Sequence, residues 1–184
     1  MKDGLHFRFL DLPVLPKELE KDCLDFVLDE NIILEFPKVF NTEYTMSYYG
    51  QLVQKKQCIF SIYRCPIHVK QWLLDHNVIP NLTTRVSIQR TYNGNTLLPH
   101  VDSGPNYLLP GMIINNDIKN TRKKAKNYLL TESGPKTCFY NTREIDDIIE
   151  SVIFPKSVWH ELDVDVLHGV EDISSERISL SVSF

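Results

Sequence analysis

The chain predicts a mainly β fold with N-terminal helices, organised as a jelly roll. Three observations carry this. Residues 83–184 hold several short segments that alternate apolar and polar side chains or are rich in β-branched residues, with turn residues between them. Many short strands at that spacing argue for a sandwich or barrel, and eight of them make a jelly roll. Two stretches before residue 83 instead carry apolar residues at helical spacing. Finally, 184 residues with 42% hydrophobic and 24% charged content suit one globular domain with a real core. The reading is therefore a single domain, 1–184. Residues 1–82 form a helical and irregular support region, and 83–184 form the β core, with a lid-like insertion at 115–127.

Taken in order, residues 5–11 alternate as a short strand until Pro13 and Pro16 break it. Pro16 suits the first turn of a helix. Leu19, Cys23, Phe26 and Val27 then share one face, which predicts an amphipathic helix to about Asn31 covering one face of a sheet. Residues 32–65 are rich in aromatic and β-branched residues and read as irregular structure, then strand over 59–63. Tyr48, Tyr49, Gly50 and Gln51 read as packing residues in a turn, with a cleft lining as the alternative. Residues 66–79 read as a second helix, with Val69, Trp72, Leu73 and His76 on one face. His68 and His76 lie too far apart on it for one metal and read as surface or packing residues.

From Thr83 the pattern changes. Residues 85–92 alternate as a strand, Asn93-Gly94-Asn95 signals a turn, and 97–102 form the next strand. Residues 108–115 read as a buried strand. The run 115–127 holds Lys119, Arg122, Lys123, Lys124 and Lys126 and reads as a solvated loop, with an anion-attracting lid as the functional alternative. Segments 128–130 and 136–140 flank a turn-rich connection and read as a hairpin. Residues 143–150 read as a helical turn or loop. Four short strands follow, at 152–154, 158–162, 165–170 and 178–184.

Composition excludes several classes. The net charge of -4 gives no global attraction to nucleic acid, so that partner is not expected. Cys23, Cys58, Cys65 and Cys138 form no C-x-x-C pair, and reduced thiols in a cytoplasmic protein are expected. The N-terminus shows no apolar signal region, and no run approaches the length of a membrane span, so no membrane role is expected. The sequon at Asn81 carries little weight without a secretion signal.

The chemistry concentrates at His100-Val101-Asp102. In an extended segment residues i and i+2 project to one face, so an imidazole and a carboxylate can address one object. With 6 histidines and 24 acidic residues, about one such pair is expected by chance, so the pair alone is weak. The wider combination is much more specific. His168 follows in an apolar run, and Arg177 comes nine residues later, at the head of an alternating strand. Two histidines and one carboxylate form the facial set that holds Fe(II) and leaves positions open. Arg177, Ser179, Ser181 and Ser183 share one face of the last strand. A guanidinium there suits a carboxylate, because its planar fork donates two parallel hydrogen bonds, and Ser179 can donate to the same group. The plainer alternative for Arg177 is a surface ion pair with Glu171 or Asp172. His160, beside Glu161, reads as a structural residue rather than a ligand.

This combination resembles the Fe(II)/2-oxoglutarate-dependent dioxygenase superfamily over roughly residues 84–184. The run from His168 to Phe184 is similar to the C-terminal strands of prolyl-4-hydroxylase-like members. The resemblance implies a double-stranded β-helix, a cupin-like jelly roll. It implies Fe(II) on His100, Asp102 and His168, with Arg177 on the far carboxylate of 2-oxoglutarate. The tract Tyr92-x-Gly94-x-x-x-x-Pro99-His100-x-Asp102 resembles the family's approach to its iron site. Tyr92 stands one residue nearer His100 than in related members and is carried as a candidate cosubstrate contact. The implied reaction hydroxylates an unactivated C–H bond, with succinate and CO2 as coproducts and ascorbate as an in vitro reductant. The carboxylate at Asp102 favours hydroxylation over halogenation. The implied substrate is a small molecule or a peptidyl or amino-acid-like group. Two other classes stand beside this reading. One is a cupin-like metalloprotein that is not an oxygenase. The other is a silent jelly-roll binding module with Tyr48, Tyr49 and Tyr140 as its ligand surface.

Overall fold

Two apolar clusters lie on opposite faces of one large sheet, and they set the architecture. A computed structural model describes residues 1–28, 34–41, 57–92, 94, 97–102, 123–132, 134–142, 144, 146–171 and 173–183. Its elements are β1 (Phe7–Phe9), α1 (Lys17–Leu28), β2 (Leu34–Asn41), β3 (Gln57–Arg64), α2 (Ile67–Asp75), β4 (Arg85–Thr91) and β5 (Leu97–His100). They continue as β6 (Lys124–Leu129), β7 (Lys136–Tyr140), β8 (Ile148–Ile153), β9 (Trp159–Asp163), β10 (His168–Glu171) and β11 (Arg177–Ser183). The larger sheet runs β1-β9-β6-β11-β4-β3-β2 and the smaller β5-β10-β7-β8. Numbered one to eight from β4, the last eight strands fall into orders 6-3-8-1 and 2-7-4-5. That nested antiparallel pairing is a jelly roll, as the sequence predicts.

The outer face of the larger sheet is covered by the helices. Cys23 and Val27 of α1 and Val69 and Leu73 of α2 join Val86, Ile88, Ile178, Leu180 and Val182 in one buried cluster. The helical spacing read from the sequence places these residues correctly. Arg90 on this face donates from Nη1 to the carbonyl of Val27 (2.8 Å) and from Nε to Glu176 (2.7 Å). It thus fastens the C-terminal turn of α1, where carbonyls lack helical partners. A carboxylate does the same work at the other end: Glu20 accepts from the Tyr128 and Ser157 hydroxyls.

The second cluster, Ala125, Phe139, Phe154, Leu162 and Val164, lies between the sheets. It contains Phe139 of β7 from the smaller sheet and Ala125 and Leu162 from the larger. It therefore marks the inner face of both. In β11 the alternation divides cleanly. Ile178, Leu180 and Val182 serve the helix-side core, so Arg177, Ser179 and Ser181 face inward, and all six are buried.

Several readings change. The 32–65 region is not irregular throughout, since 34–41 form β2. Pro37 disguises it, but β2 is an edge strand, where a missing donor is tolerated. The expected hairpin over 128–140 is absent, because β6 and β7 belong to different sheets. Residues 148–150 are strand β8 rather than helix or loop. The basic run 115–127 ends inside β6: Lys124 pairs with Glu161 at 3.1 Å, and Lys126 donates to the carbonyl of Val78. These two charges are therefore bound to the sheet's outer face. The rest of that run up to 122, the expected strand at 108–115 and the Tyr48-Tyr49 patch lie outside the described residues. His68 pairs with Asp22, and His76 stacks on Trp72 with ring centroids 4.0 Å apart, so both are packing or surface residues as expected.

Leu180 is fully buried, whereas Leu82 is 40% exposed. Urea denaturation of Leu180→Ala should show a loss of about 2–5 kcal/mol. Leu82→Ala should stay within about 0.5 kcal/mol of the parent.

Candidate metal centre

Backbone pairing brings the three sequence-selected ligands together. β5 and β10 run antiparallel with His100 directly opposite His168. His168 is also opposite Phe139, an inter-sheet core residue, so both imidazoles face the interior. Their ring centroids lie 4.6 Å apart. The strand ends at His100, and Asp102 is held by its own backbone, whose N–H donates to the Val164 carbonyl at 2.8 Å. Its carboxylate then lies 3.5 Å from His100 Nε2 and 3.7 Å from His168 Nε2. Both separations exceed a good hydrogen bond.

The donor set fits a cation. One ligand atom from each residue lies within 4.8 Å of the others. His168 Nδ1 faces the Val166 carbonyl at 3.0 Å and so carries the ring proton. Nε2 points toward the Asp102 carboxylate at 3.7 Å, where a cation between them would be held by both. A backbone carbonyl fixing the tautomer in this way is characteristic of imidazoles that ligate metals. Two imidazoles and a carboxylate suit Fe(II) and related divalent ions.

The facing sheet supplies a different group. Arg177 opens β11 opposite Thr91 and is 9% exposed. Among the described residues no hydrogen bond or ion pair satisfies its guanidinium. Burial draws it down to about 10. The sign follows: the charged form is penalised throughout the neutral range, and the penalty fades only as pH rises through that value. Its size corresponds to about 3 kcal/mol. The surface pair considered for Arg177 does not form with Glu171, whose carboxylate accepts from the Tyr140 hydroxyl at 2.7 Å, and Asp172 lies outside the described residues. Ser179 is buried on the same inner face, two residues along.

Tyr92 is placed elsewhere. Its hydroxyl is 3.0 Å from Ser61 Oγ, and the Arg90 guanidinium stands over its ring at 4.9 Å. Arg90 reaches α1, so this pair belongs to the helix side of the sheet, opposite the face that bears Arg177. Alternation along β4 explains this, because Tyr92 keeps the parity of Arg90 and Ile88. His160 does not join the metal cluster. Cys23 and Cys138 are free, buried thiols that burial pushes up in pKa, Cys138 to about 11. Sequence reading missed three inward polar groups, Asn127, Thr137 and the ring edge of His160. Each has a buried atom without a hydrogen-bond partner. Alternation in β6, β7 and β9 was their available signal.

No protein-family model and no curated protein matches the chain. Solved structures do match in fold. A Pseudomonas putida prolyl-4-hydroxylase aligns at 12% identity and TM-score 0.56, over 97% of this chain and 91% of that one. The viral collagen prolyl hydroxylase vCPH from Paramecium Bursaria Chlorella virus-1, in complex with 2OG, aligns at 13% identity and TM-score 0.52, over 98% and 96%. Procruciferin, an 11S globulin from Brassica napus, aligns at TM-score 0.39 and 8% identity, and the chain spans 25% of that protein's length. The fold is thus like that of the two prolyl hydroxylases. No described helix is long and apolar enough to cross a membrane.

Replacing Arg177 by Met should raise the unfolding free energy of the ligand-free protein by about 1–4 kcal/mol in urea at neutral pH. An equal or lower stability would mean that the guanidinium has a partner. In equilibrium dialysis with Mn(II), the parent should bind one ion. His100→Ala, Asp102→Ala and His168→Ala should each lose that binding, while Tyr92→Phe retains it.

Proposed function

We propose that the chain is an Fe(II)- and 2-oxoglutarate-dependent oxygenase that hydroxylates an unactivated C–H bond. One observation carries the reading. A buried guanidinium without a partner among the described residues faces inward from one sheet, and a His-Asp-His cluster faces inward from the other. The first calls for an anion and the second for a divalent cation. A bound metal with a chelating dicarboxylate answers both.

When bound, ferrous iron and 2-oxoglutarate supply the oxidising power, with succinate and CO2 as coproducts. The chain's own residues bind and orient. His100 and His168 offer imidazole nitrogens, and Asp102 offers a carboxylate oxygen. The Val166 carbonyl holds the His168 ring in the tautomer that keeps Nε2 available. Arg177 is assigned to the remote carboxylate and supplies the charge that a buried anion needs. Ser179 is assigned as a second donor there. Phe139, Phe154, Leu162 and Val164 exclude water between the sheets, which strengthens each electrostatic contact inside. Tyr92 is left out of the cosubstrate contacts because of its place beside Arg90 and Ser61. The substrate is proposed as a small molecule or a peptidyl or amino-acid-like group. The likeness in fold to prolyl hydroxylases supports that class without naming a member.

Incubation with Fe(II), 2-oxoglutarate and ascorbate should release succinate. His100→Ala should abolish the release while keeping the parent's circular dichroism. Arg177→Ala should raise the 2-oxoglutarate requirement by at least tenfold. Metal binding with no 2-oxoglutarate affinity would instead indicate a non-oxygenase metalloprotein.

A further inference from the structure

The inner face of the larger sheet carries a polar row that the metal centre does not use. Asn127 of β6 is directly opposite His160 of β9 on one side and Ser181 of β11 on the other. Ser181 is in turn opposite Ser87 of β4. Directly paired side chains on one sheet face have Cβ atoms about 4.5–5.5 Å apart. The row therefore crosses four strands as one continuous polar strip.

Two atoms of this strip are stranded. His160 is fully buried, and its ring lies flat on Phe154, with centroids 3.6 Å apart and planes at 6°. Its Nδ1 lies 3.2 Å from the Val158 carbonyl, which fixes the proton there and leaves Nε2 as a bare acceptor. Among the described residues Nε2 has no hydrogen-bond partner, and neither does the neighbouring Asn127 Oδ1. Two adjacent acceptors cannot satisfy each other, and a buried polar atom without a partner calls for an explanation. Arg177 heads β11 on the same inner face, opposite Thr91 and four residues along the strand from Ser181.

We propose that His160 Nε2 and Asn127 Oδ1 form a subsite, on the inner face that also bears Arg177, that takes a neutral hydrogen-bond donor, an O–H group. An anion does not suit it, because both stranded atoms are acceptors. The O–H comes either from one trapped water or from a hydroxyl of an organic acid held by Arg177. Water offers two donors, enough for both atoms. A hydroxylated 2-oxo diacid offers one donor and would displace that water. Assigning the subsite to cosubstrate selection rests on the oxygenase reading; the existence of the O–H subsite does not.

The test is ring-nitrogen NMR of the full chain labelled at histidine, with His160→Phe identifying the signal. Phe preserves the stack on Phe154, and His160→Gln serves if that variant does not fold. Spectra are taken for the protein with Zn(II) in place of iron, then with 2-oxoglutarate, then with 4-hydroxy-2-oxoglutarate. The expected result is an unprotonated Nε2 that accepts a hydrogen bond. If the bond is present in the metal form and survives Asn127→Leu, the donor is trapped water. If it forms only with the hydroxylated acid, the donor is the ligand's hydroxyl. A bond already present in the metal form and lost in Asn127→Leu would make the Asn127 amide the donor and overturn the subsite. A protonated Nε2, or a bare lone pair in every state, overturns it as well. Failure of 2-oxoglutarate to bind the parent, with the Nε2 bond intact, would sink the oxygenase reading alone.

Discussion

The structure depends on one strand that serves two environments. β11 sends Ile178, Leu180 and Val182 into the core beneath the helices and sends Arg177, Ser179 and Ser181 between the sheets. The apolar half contributes burial worth about 1.5–3 kcal/mol for each side chain. That burial holds the polar half where water cannot reach it. A guanidinium confined in this way is destabilising by itself, and the core formed by its own neighbours offsets the penalty. Stability and binding capacity are thus coupled through the period of a strand.

The candidate metal centre rests on a different kind of order. Its three candidate ligands sit on or just beyond β5 and β10, and backbone hydrogen bonds set them, not side-chain packing. The direct pairing of His100 with His168 fixes the distance between the imidazoles. The carbonyl of Val164 fixes where Asp102 begins, and that of Val166 fixes the tautomer of His168. Backbone groups orient the cluster, so conservative changes in the surrounding apolar residues leave its geometry intact.

Much of the site was legible. His100, Asp102, His168 and Arg177 each sit at a place where period-two alternation and residue chemistry agree, and the structure places the first three within 4.8 Å of one another. Parity decided the failures. Tyr92 has the right chemistry for a ligand contact, but it keeps the parity of Arg90 and follows it to the helix side. The hairpin expected over 128–140 failed for a related reason. A short, turn-rich connection looks the same whether it joins neighbours in one sheet or carries the chain from one sheet to the other. β2 hid behind Pro37, which a central strand would reject and an edge strand accepts.

The sequence by itself determined the elements that repeat at regular spacing. These are the two amphipathic helices, the alternating strands, and the choice of candidate ligands and of the guanidinium, because each is encoded within a few consecutive residues. Only the tertiary structure decided which strands share a sheet, which acceptors were left stranded inside, and that Arg177 has no protein partner among the described residues. Those facts depend on pairings between segments tens of residues apart. Hydrogen-bond register between such segments depends on the closure of the whole barrel, and no local pattern reports it.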